Sequence, residues 1–369
     1  MSLNVLSPFT VGPYTLANRV VFAPCTRCRA DADHAPTAIN ALYYRQRASV
    51  GLIITEASQI SPRGIGYPAT PGIHTEKQIE GWKLVTKAVH EAGGRIFCQL
   101  WHVGRVSHQS YQPNGELPVS SWPAPRQTEI MLADGSKAPA PTPHMLTIDE
   151  IRATMADYRH AAECALKAGF DGVELHGANG YLPDQFLRDG VNKRTDEYGG
   201  SIENRAKFHI EATKALCEVF GAARVGVRLS PSGVFNDMFD SNPRATFGYV
   251  ATQLSALGLG YLHIMEAMES DLRHGPRSFS GYEAIPVSYF RPMVKCTLIT
   301  NAGFTHEKAN AYISEGWADA IAFGTAVIAN PDLPERFRTN APLNKPDMAT
   351  FYGGGEKGYT DYPFLPVTR

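Results

Sequence analysis

The sequence predicts an α/β fold, a (β/α)8 TIM barrel with an N-terminal hairpin and a long loop after strand 3. Three observations carry this expectation. Short apolar runs alternate with longer amphipathic segments eight times along the 369 residues. The runs are four to six residues long and mostly rich in Val, Ile, Leu or Phe, as strands covered on both faces are. No clear Gly-rich first turn favours a doubly wound sheet, so repeated right-handed crossovers are expected to close on themselves.

The elements follow in order. Phe9-Thr10-Val11-Gly12-Pro13-Tyr14-Thr15-Leu16 reads as a small hairpin placed to plug the barrel floor. Strands are expected at 19–23, 52–56, 95–100, 172–176, 224–229, 261–265, 297–300 and 320–323. Helical stretches are expected at 76–91, 148–168, 202–220 and 244–257. Thr147 with Glu150 three residues on forms a capping box for the second of these, and Gly169 ends it. Residues 101–146 are proline-rich without a helical period. A loop that long inside a compact domain is usually functional, a lid or a pocket wall. Barrels with insertions reach this length as one unit, so 1–369 is read as a single domain.

Composition narrows the function. The hydrophobic share of 43% supports a large core. The 33 glycines and 26 prolines are spread along the chain and imply many tight turns, not a disordered block. Formal net charge is −1 with no basic run, so neither nucleic acid nor an anionic membrane is an expected partner. No apolar run approaches membrane-spanning length. The start, Met1-Ser2-Leu3-Asn4-Val5, lacks the basic and apolar regions of a signal peptide. Six cysteines in a chain of this size suggest no disulfide framework. Cys25-Thr26-Arg27-Cys28 has the spacing of metal and redox sites, but no second ligand pair accompanies it, so two reduced thiols and no metal are expected. A cytoplasmic protein, monomer or homodimer, is the expectation.

In a barrel the chemistry sits at the C-terminal ends of the strands. Those ends read Pro24-Cys25-Thr26-Arg27, Glu56-Ala57, Gln99-Leu100-Trp101-His102, Glu174-Leu175-His176-Gly177-Ala178-Asn179-Gly180-Tyr181, Arg228, Asn301-Ala302-Gly303-Phe304 and Gly324-Thr325. The set is polar, glycine-rich and convergent, suited to a large planar polar cofactor. The glycine turns after strands seven and eight lie where barrels commonly bind phosphate.

The strand-four motif is sharper. Hydride arriving at the β-carbon of an α,β-unsaturated carbonyl pushes charge onto its oxygen, which two placed donors, His176 and Asn179, can stabilise. A proton must then reach the α-carbon, and the Tyr181 hydroxyl can supply it. A half-buried histidine and a tyrosine can also serve packing alone.

The long motifs decide between these readings. The sequence carries His176-Gly177-Ala178-Asn179-Gly180-Tyr181-Leu182, Arg194-Thr195-Asp196-Glu197-Tyr198-Gly199-Gly200-Ser201-Ile202-Glu203-Asn204-Arg205 and Gln99-Leu100-Trp101-His102, with Ile328-Ala329-Asn330-Pro331-Asp332-Leu333 and Tyr359-Thr360-Asp361-Tyr362-Pro363 near the end. Over essentially its whole length the sequence resembles the Old Yellow Enzyme family of FMN-dependent ene-reductases. The resemblance implies FMN as cofactor, NADPH or NADH as transient hydride donor, and small enones or enals as substrates, with nitro compounds as further candidates. It implies that Pro24, Cys25, Thr26, Ala57, Gln99 and Arg228 border the flavin ring, with Ala302, Gly303, Phe304, Gly324 and Thr325 at its phosphate end. His176 and Asn179 would clamp the substrate oxygen, Tyr181 would donate the proton, and Thr26, Tyr67, Trp101, Phe351 and Tyr352 would wall the substrate.

Two positions depart from the family pattern. Thr325 stands where relatives usually carry a phosphate-binding arginine, and Cys25 where they carry Leu or Met. A hydroxyl supplies one hydrogen bond and no charge, so weaker cofactor retention is expected. The Cys25 thiol is read as a small buried hydrophobe. Gly64-Ile65-Gly66-Tyr67-Pro68-Ala69 mimics a dinucleotide fingerprint, but Pro68 and Pro71 stop a helix from following. The donor is therefore expected in the substrate pocket. The rival readings are a flavin-bound isomerase and a catalytically silent flavin-binding barrel.

Overall fold

Eight short parallel strands hydrogen-bond in chain order, and the eighth pairs with the first. They are β1 (Val20–Phe22), β2 (Leu52–Ile54), β3 (Ile96–Trp101), β4 (Gly172–His176), β5 (Val225–Leu229), β6 (Tyr261–Met265), β7 (Thr297–Asn301) and β8 (Ala320–Phe323). Closure is continuous: β3 pairs with both β2 and β4, and Ala322 of β8 lies beside Val21 of β1. The structure is a computed structural model, and it describes residues 3–267 and 284–366. This is the TIM barrel expected from the sequence. The expected bounds of β4, β6 and β8 match, and the other strands shift by one or two residues.

The period of two decides which side chains fill the barrel. Val21, Leu52, Ile54, Phe97, Tyr261, Ile299, Ala320 and Ala322 form an inner cluster, while their neighbours Phe22, Ile53, Cys98, Leu262, Leu298 and Ile321 face the helices. Two glycines make room for the large rings. A Cβ on Gly226 would lie 2.1 Å from the Tyr261 ring and one on Gly172 2.4 Å from the Phe97 ring. The antiparallel pair Phe9–Val11 and Tyr14–Leu16 places Phe9, Val11 and Leu16 in the same inner cluster. The hairpin therefore closes the floor with apolar side chains, and only the opposite end is left for polar groups.

The outer helices include α1 (Ala38–Gln46), α2 (Glu76–Glu91), α3 (Ile148–Lys167), α4 (Ile202–Phe220), α5 (Pro243–Ser255) and α6 (His306–Ser314). Thr75 caps α2 and Thr147 caps α3, each completed by a side chain three residues on, Gln78 and Glu150. The loop between β3 and α3 has no α-helix. It holds two 3-10 turns, a parallel pair Val119–Ser120 with His144–Met145, and an antiparallel ribbon of Ile130–Met131 with Lys137–Ala138. No helix starts at the Gly64–Ala69 motif; α2 begins only at Glu76. No helix among the described residues is long and apolar enough to cross a membrane.

The C-terminal segment is anchored by arginines. Arg27 is fully buried, and its guanidinium donates to the Phe351 carbonyl at 2.9 Å, the Tyr43 hydroxyl at 2.6 Å and the Gly358 carbonyl at 2.8 Å. Arg29 holds the Thr350 carbonyl at 2.9 Å, and the Tyr43 and Tyr359 rings stack 3.9 Å apart. The segment is thereby carried back to the mouth of the barrel.

Candidate active site

The turn after β4 is held by the loop that follows β5. Asn179 sits at φ +59°, a conformation that asparagine tolerates better than most residues. Its N–H donates to Ser230 Oγ at 2.8 Å, and its carbonyl accepts from Asn236 Nδ2 at 2.7 Å. Gly180, at φ +76°, lies so close to Asn236 that a Cβ would meet it at 2.7 Å. Its N–H donates to Asp184, which also holds a fully buried ion pair with Arg188 at 2.8 Å. With the backbone fixed this way, the side chains are left over for chemistry. His176 Nδ1 and Asn179 Oδ1 are buried with no hydrogen-bond partner. Buried polar atoms are rarely unsatisfied unless a ligand or water completes them.

Tyr181 shares their pocket. Its ring meets His176 edge-on at 4.8 Å and Trp101 at 5.0 Å, and its hydroxyl donates to the Tyr67 hydroxyl at 3.3 Å. Burial, with Tyr67 alongside, holds its pKa well above the ordinary tyrosine value, so the proton is retained at neutral pH. Burial, then the charge of Arg228, pushes His176 well below the ordinary histidine value. A neutral imidazole and a neutral phenol result.

Beneath them the inner face of the barrel carries a chain of buried polar groups. Gln99 Nε2 donates to Glu174 Oε1 at 2.6 Å, Glu174 Oε2 lies 3.0 Å from His263 Nδ1, and His263 Nε2 lies 3.1 Å from Asn301 Oδ1. The bond to Glu174 fixes the Gln99 amide and leaves its Oε1 to accept from a ligand. Arg228 lies in the same inner row, beside His176 and His263 in the strand register. Its Nε has no partner, and Nη2 contacts only the Met265 sulfur, at 3.6 Å, among the described residues. Burial lowers its pKa, and the Glu174 carboxylate opposes that shift. Glu174 and His263 were given no role in the sequence reading. His263, polar inside the apolar strand Tyr261–Met265, was the available signal.

A cavity of 510 Å³ opens above. Thr26, Cys28, Tyr67, Pro68, Ala69, Met131, Tyr181, Phe235, Tyr352 and Gly353 surround it. Tyr67 stacks on Trp101 with ring centres 5.5 Å apart, so Trp101 backs the wall. Tyr352 is exposed at the rim. Phe351, expected beside it, lies in the buried core instead, with the Arg27 guanidinium 5.8 Å from its ring. Met131, Phe235 and Cys28 were not foreseen as walls, since each arrives on a loop remote in sequence from β4. Burial pushes the Cys28 thiol up to about 12, which keeps it from acting as a nucleophile near neutral pH.

The other end of the mouth carries the glycine turns. Pro24 and Cys25 follow β1, Ala57 follows β2, and Cys25 Sγ lies 3.1 Å from where a Cβ on Gly324 would stand. Ala302 and Gly303 after β7 have φ of +96° and +66°. A Cβ on Gly303 would meet nothing within 4 Å, and the Gly303 and Phe304 N–H groups donate to no described backbone carbonyl. Thr325 is exposed at the start of the short helix Thr325–Ala329. Together, the unpartnered Arg228 Nε, the oriented Gln99 amide and the open turn fit FMN, a planar polar ring with a phosphate tail. Pro24, Cys25, Thr26, Ala57, Gln99 and Arg228 would border the ring, with Ala302 to Phe304 and Gly324 to Thr325 at the phosphate. All six thiols are unpaired, and no group of metal-binding side chains occurs among the described residues.

Thr325 makes this fit testable. Charge-assisted phosphate hydrogen bonds are roughly twice as strong as neutral ones. Thr325→Arg is therefore expected to bind FMN about tenfold more tightly, a gain of about 1.4 kcal/mol. Equal FMN dissociation constants, read by flavin fluorescence on dilution, would exclude a phosphate contact at this position.

Comparison with known proteins agrees with the geometry. Residues 4–344 match the model of the NADH:flavin oxidoreductase / NADH oxidase family. The putative 12-oxophytodienoate reductase 2 of Oryza sativa subsp. japonica is 45% identical over 99% of this chain and 95% of its own. The 12-oxophytodienoate reductase 2 of Arabidopsis thaliana is 42% identical over 100% and 97%. Among solved structures, morphinone reductase superposes with a TM-score of 0.92 at 47% identity, covering 99% of this chain and 97% of that one. The old yellow enzyme homologue from Zymomonas mobilis gives 0.93 at 43%, covering 98% and 100%. On this match in sequence, barrel and site, the chain belongs to the NADH:flavin oxidoreductase / NADH oxidase family, as a relative of the Old Yellow Enzymes that uses FMN and a nicotinamide hydride donor.

Proposed function

We propose that this protein reduces the activated carbon–carbon double bond of α,β-unsaturated carbonyl compounds at the expense of NADPH or NADH. One observation carries the reading. Two buried side-chain atoms without partners, His176 Nδ1 and Asn179 Oδ1, stand beside a protonated tyrosine at the floor of an apolar cavity. When bound, FMN would supply the hydride-transfer chemistry that links the nicotinamide to the β-carbon.

The chain's own residues do the rest. His176, through a ring N–H, and Asn179, through its Nδ2 amide, donate hydrogen bonds to the carbonyl oxygen, where negative charge grows as hydride arrives. Because both are neutral and already placed, they need no reorganisation at that moment. Tyr181 delivers its hydroxyl proton to the α-carbon. Tyr67, whose hydroxyl lies 3.3 Å from that of Tyr181, is placed to return a proton from solvent. Arg228 would supply positive charge to the reduced ring, and the Gln99 amide, fixed by Glu174, would hold a polar edge of the ring. Tyr67, Met131, Phe235 and Tyr352 exclude water from the reacting double bond. Nitro compounds present charged oxygens to the same clamp and are proposed as further substrates. The unpaired thiols support residence in the reducing cytoplasm.

Product labelling tests this. With 2-cyclohexenone and unlabelled NADPH in D2O, the cyclohexanone formed should carry deuterium at the α-carbon and protium at the β-carbon. An isomerised product without NADPH oxidation would replace this reading with the isomerase.

A further inference from the structure

Beside the Phe235 wall of the cavity stands a cation with no anion among the described residues. Arg126 lies on the loop between β3 and α3, in a stretch braced against the loop after β5. Arg105 Nη1 donates to the Ala124 carbonyl at 3.0 Å, Arg105 Nη2 to the Asn236 carbonyl at 3.1 Å, and the Gln127 N–H to Asp237 Oδ2 at 2.8 Å. This brace sets the Arg126 guanidinium 6.0 Å from the centre of the Phe235 ring, and Phe235 is a wall of the cavity. Arg126 Nε is buried with no partner, and no ion pair to Arg126 forms among the described residues. The Asp237 carboxylate on the same brace is engaged by the Gln127 N–H. The field of Arg126 reaches inward as well, favouring the ionised forms of Tyr67 and Tyr181.

An arginine left with a dry, unused donor is costly unless something outside the fold completes it. Here it packs on Phe235, a wall of a cavity whose lining includes no carboxylate among the described residues. The floor takes a neutral reacting head, and the rim presents a planar fork suited to oxyanions. We propose that Arg126 is an anion-binding subsite that holds the phosphate or carboxylate tail of the molecule whose head lies at His176, Asn179 and Tyr181. The inference rests on the reading that donor and enone enter this cavity in turn. The anion then has two sources, the phosphates of the nicotinamide dinucleotide or a carboxylate carried by the enone. The two half-reactions separate them.

The experiment uses FMN-loaded protein, Arg126→Gln and Arg126→Lys, each checked for its flavin spectrum, in stopped-flow absorption at low ionic strength. Flavin reduction is followed with NADPH and with the uncharged donor 1-benzyl-1,4-dihydronicotinamide. Reoxidation is followed with 4-oxocyclohex-2-ene-1-carboxylate and with neutral 2-cyclohexenone. Arg126→Gln should raise the half-saturating concentration of an anionic probe about tenfold more than that of its neutral counterpart. Arg126→Lys should recover most of the difference, and added salt should shrink it. A selective loss for NADPH identifies phosphate as the anion, and one for the acid identifies carboxylate; either supports the subsite. Equal effects on charged and neutral probes, or no effect on any, overturn it. If the parent protein exchanges electrons with none of the four probes, the functional reading itself falls and takes the subsite with it.

Discussion

Tyr181→Phe should slow reoxidation of the reduced flavin by 2-cyclohexenone between about 100- and 10,000-fold, the usual span for a general acid. Flavin reduction by NADPH should stay close to the parent rate, because hydride transfer from the nicotinamide needs no proton at the α-carbon. The substitution is structurally mild. It removes one hydrogen bond, 3.3 Å to the Tyr67 hydroxyl, and keeps the ring contacts with Trp101 and His176. Stopped-flow absorption of the two half-reactions separates the roles. Equal slowing of both would show that Tyr181 shapes the cavity and does not deliver the proton.

The oxygen clamp should be nearly as costly to lose. His176→Phe keeps a ring against Trp101 and Tyr181 and removes the donor. The expected fall is about 100- to 1,000-fold in kcat for enone reduction, about 3–4 kcal/mol, as for a group that donates to a developing oxyanion. For Asn179 the substitution must respect the backbone. At φ +59°, alanine would add strain of about 1 kcal/mol and confuse the reading. Asn179→Asp tolerates that conformation and presents an acceptor where the oxygen becomes negative, so its loss should match or exceed that of His176→Phe. The double variant should lose less than the product of the two, since both donors serve one oxygen. A change in KM with kcat intact for either single variant would mean that the residue binds substrate without stabilising the transition state.

The barrel and the heart of the site were legible for different reasons. Strands buried on both faces are mostly apolar, so β4, β6 and β8 stand out from their flanks despite the Glu174, His176 and His263 they carry. His176, Asn179 and Tyr181 fall within six consecutive residues, and a turn after a barrel strand places such residues together whatever the rest of the chain does. Helices α1 and α6 escaped notice despite good caps at Thr37 and Thr305, because each has only nine residues and a short buried stripe. The cavity wall was harder still. Met131, Phe235 and Cys28 come from three separate loops, and nothing in their local sequence says that the loops converge. Phe351 and Tyr352 show the limit most plainly. Both are aromatic and adjacent, and the choice of which one faces the cavity was made by Arg27, more than three hundred residues away, through its bond to the Phe351 carbonyl. The orientation of Gln99 likewise depends on a buried Glu174–His263 pair joined across strands.

An anaerobic visible-absorption titration of the FMN-supplemented protein follows the passage of hydride from a nicotinamide to an enone through the bound flavin. Adding NADPH should bleach the flavin bands, and adding 2-cyclohexenone should then restore them in stoichiometric amount. A flavin spectrum that NADPH never bleaches, or one that stays bleached in excess enone, would contradict the account.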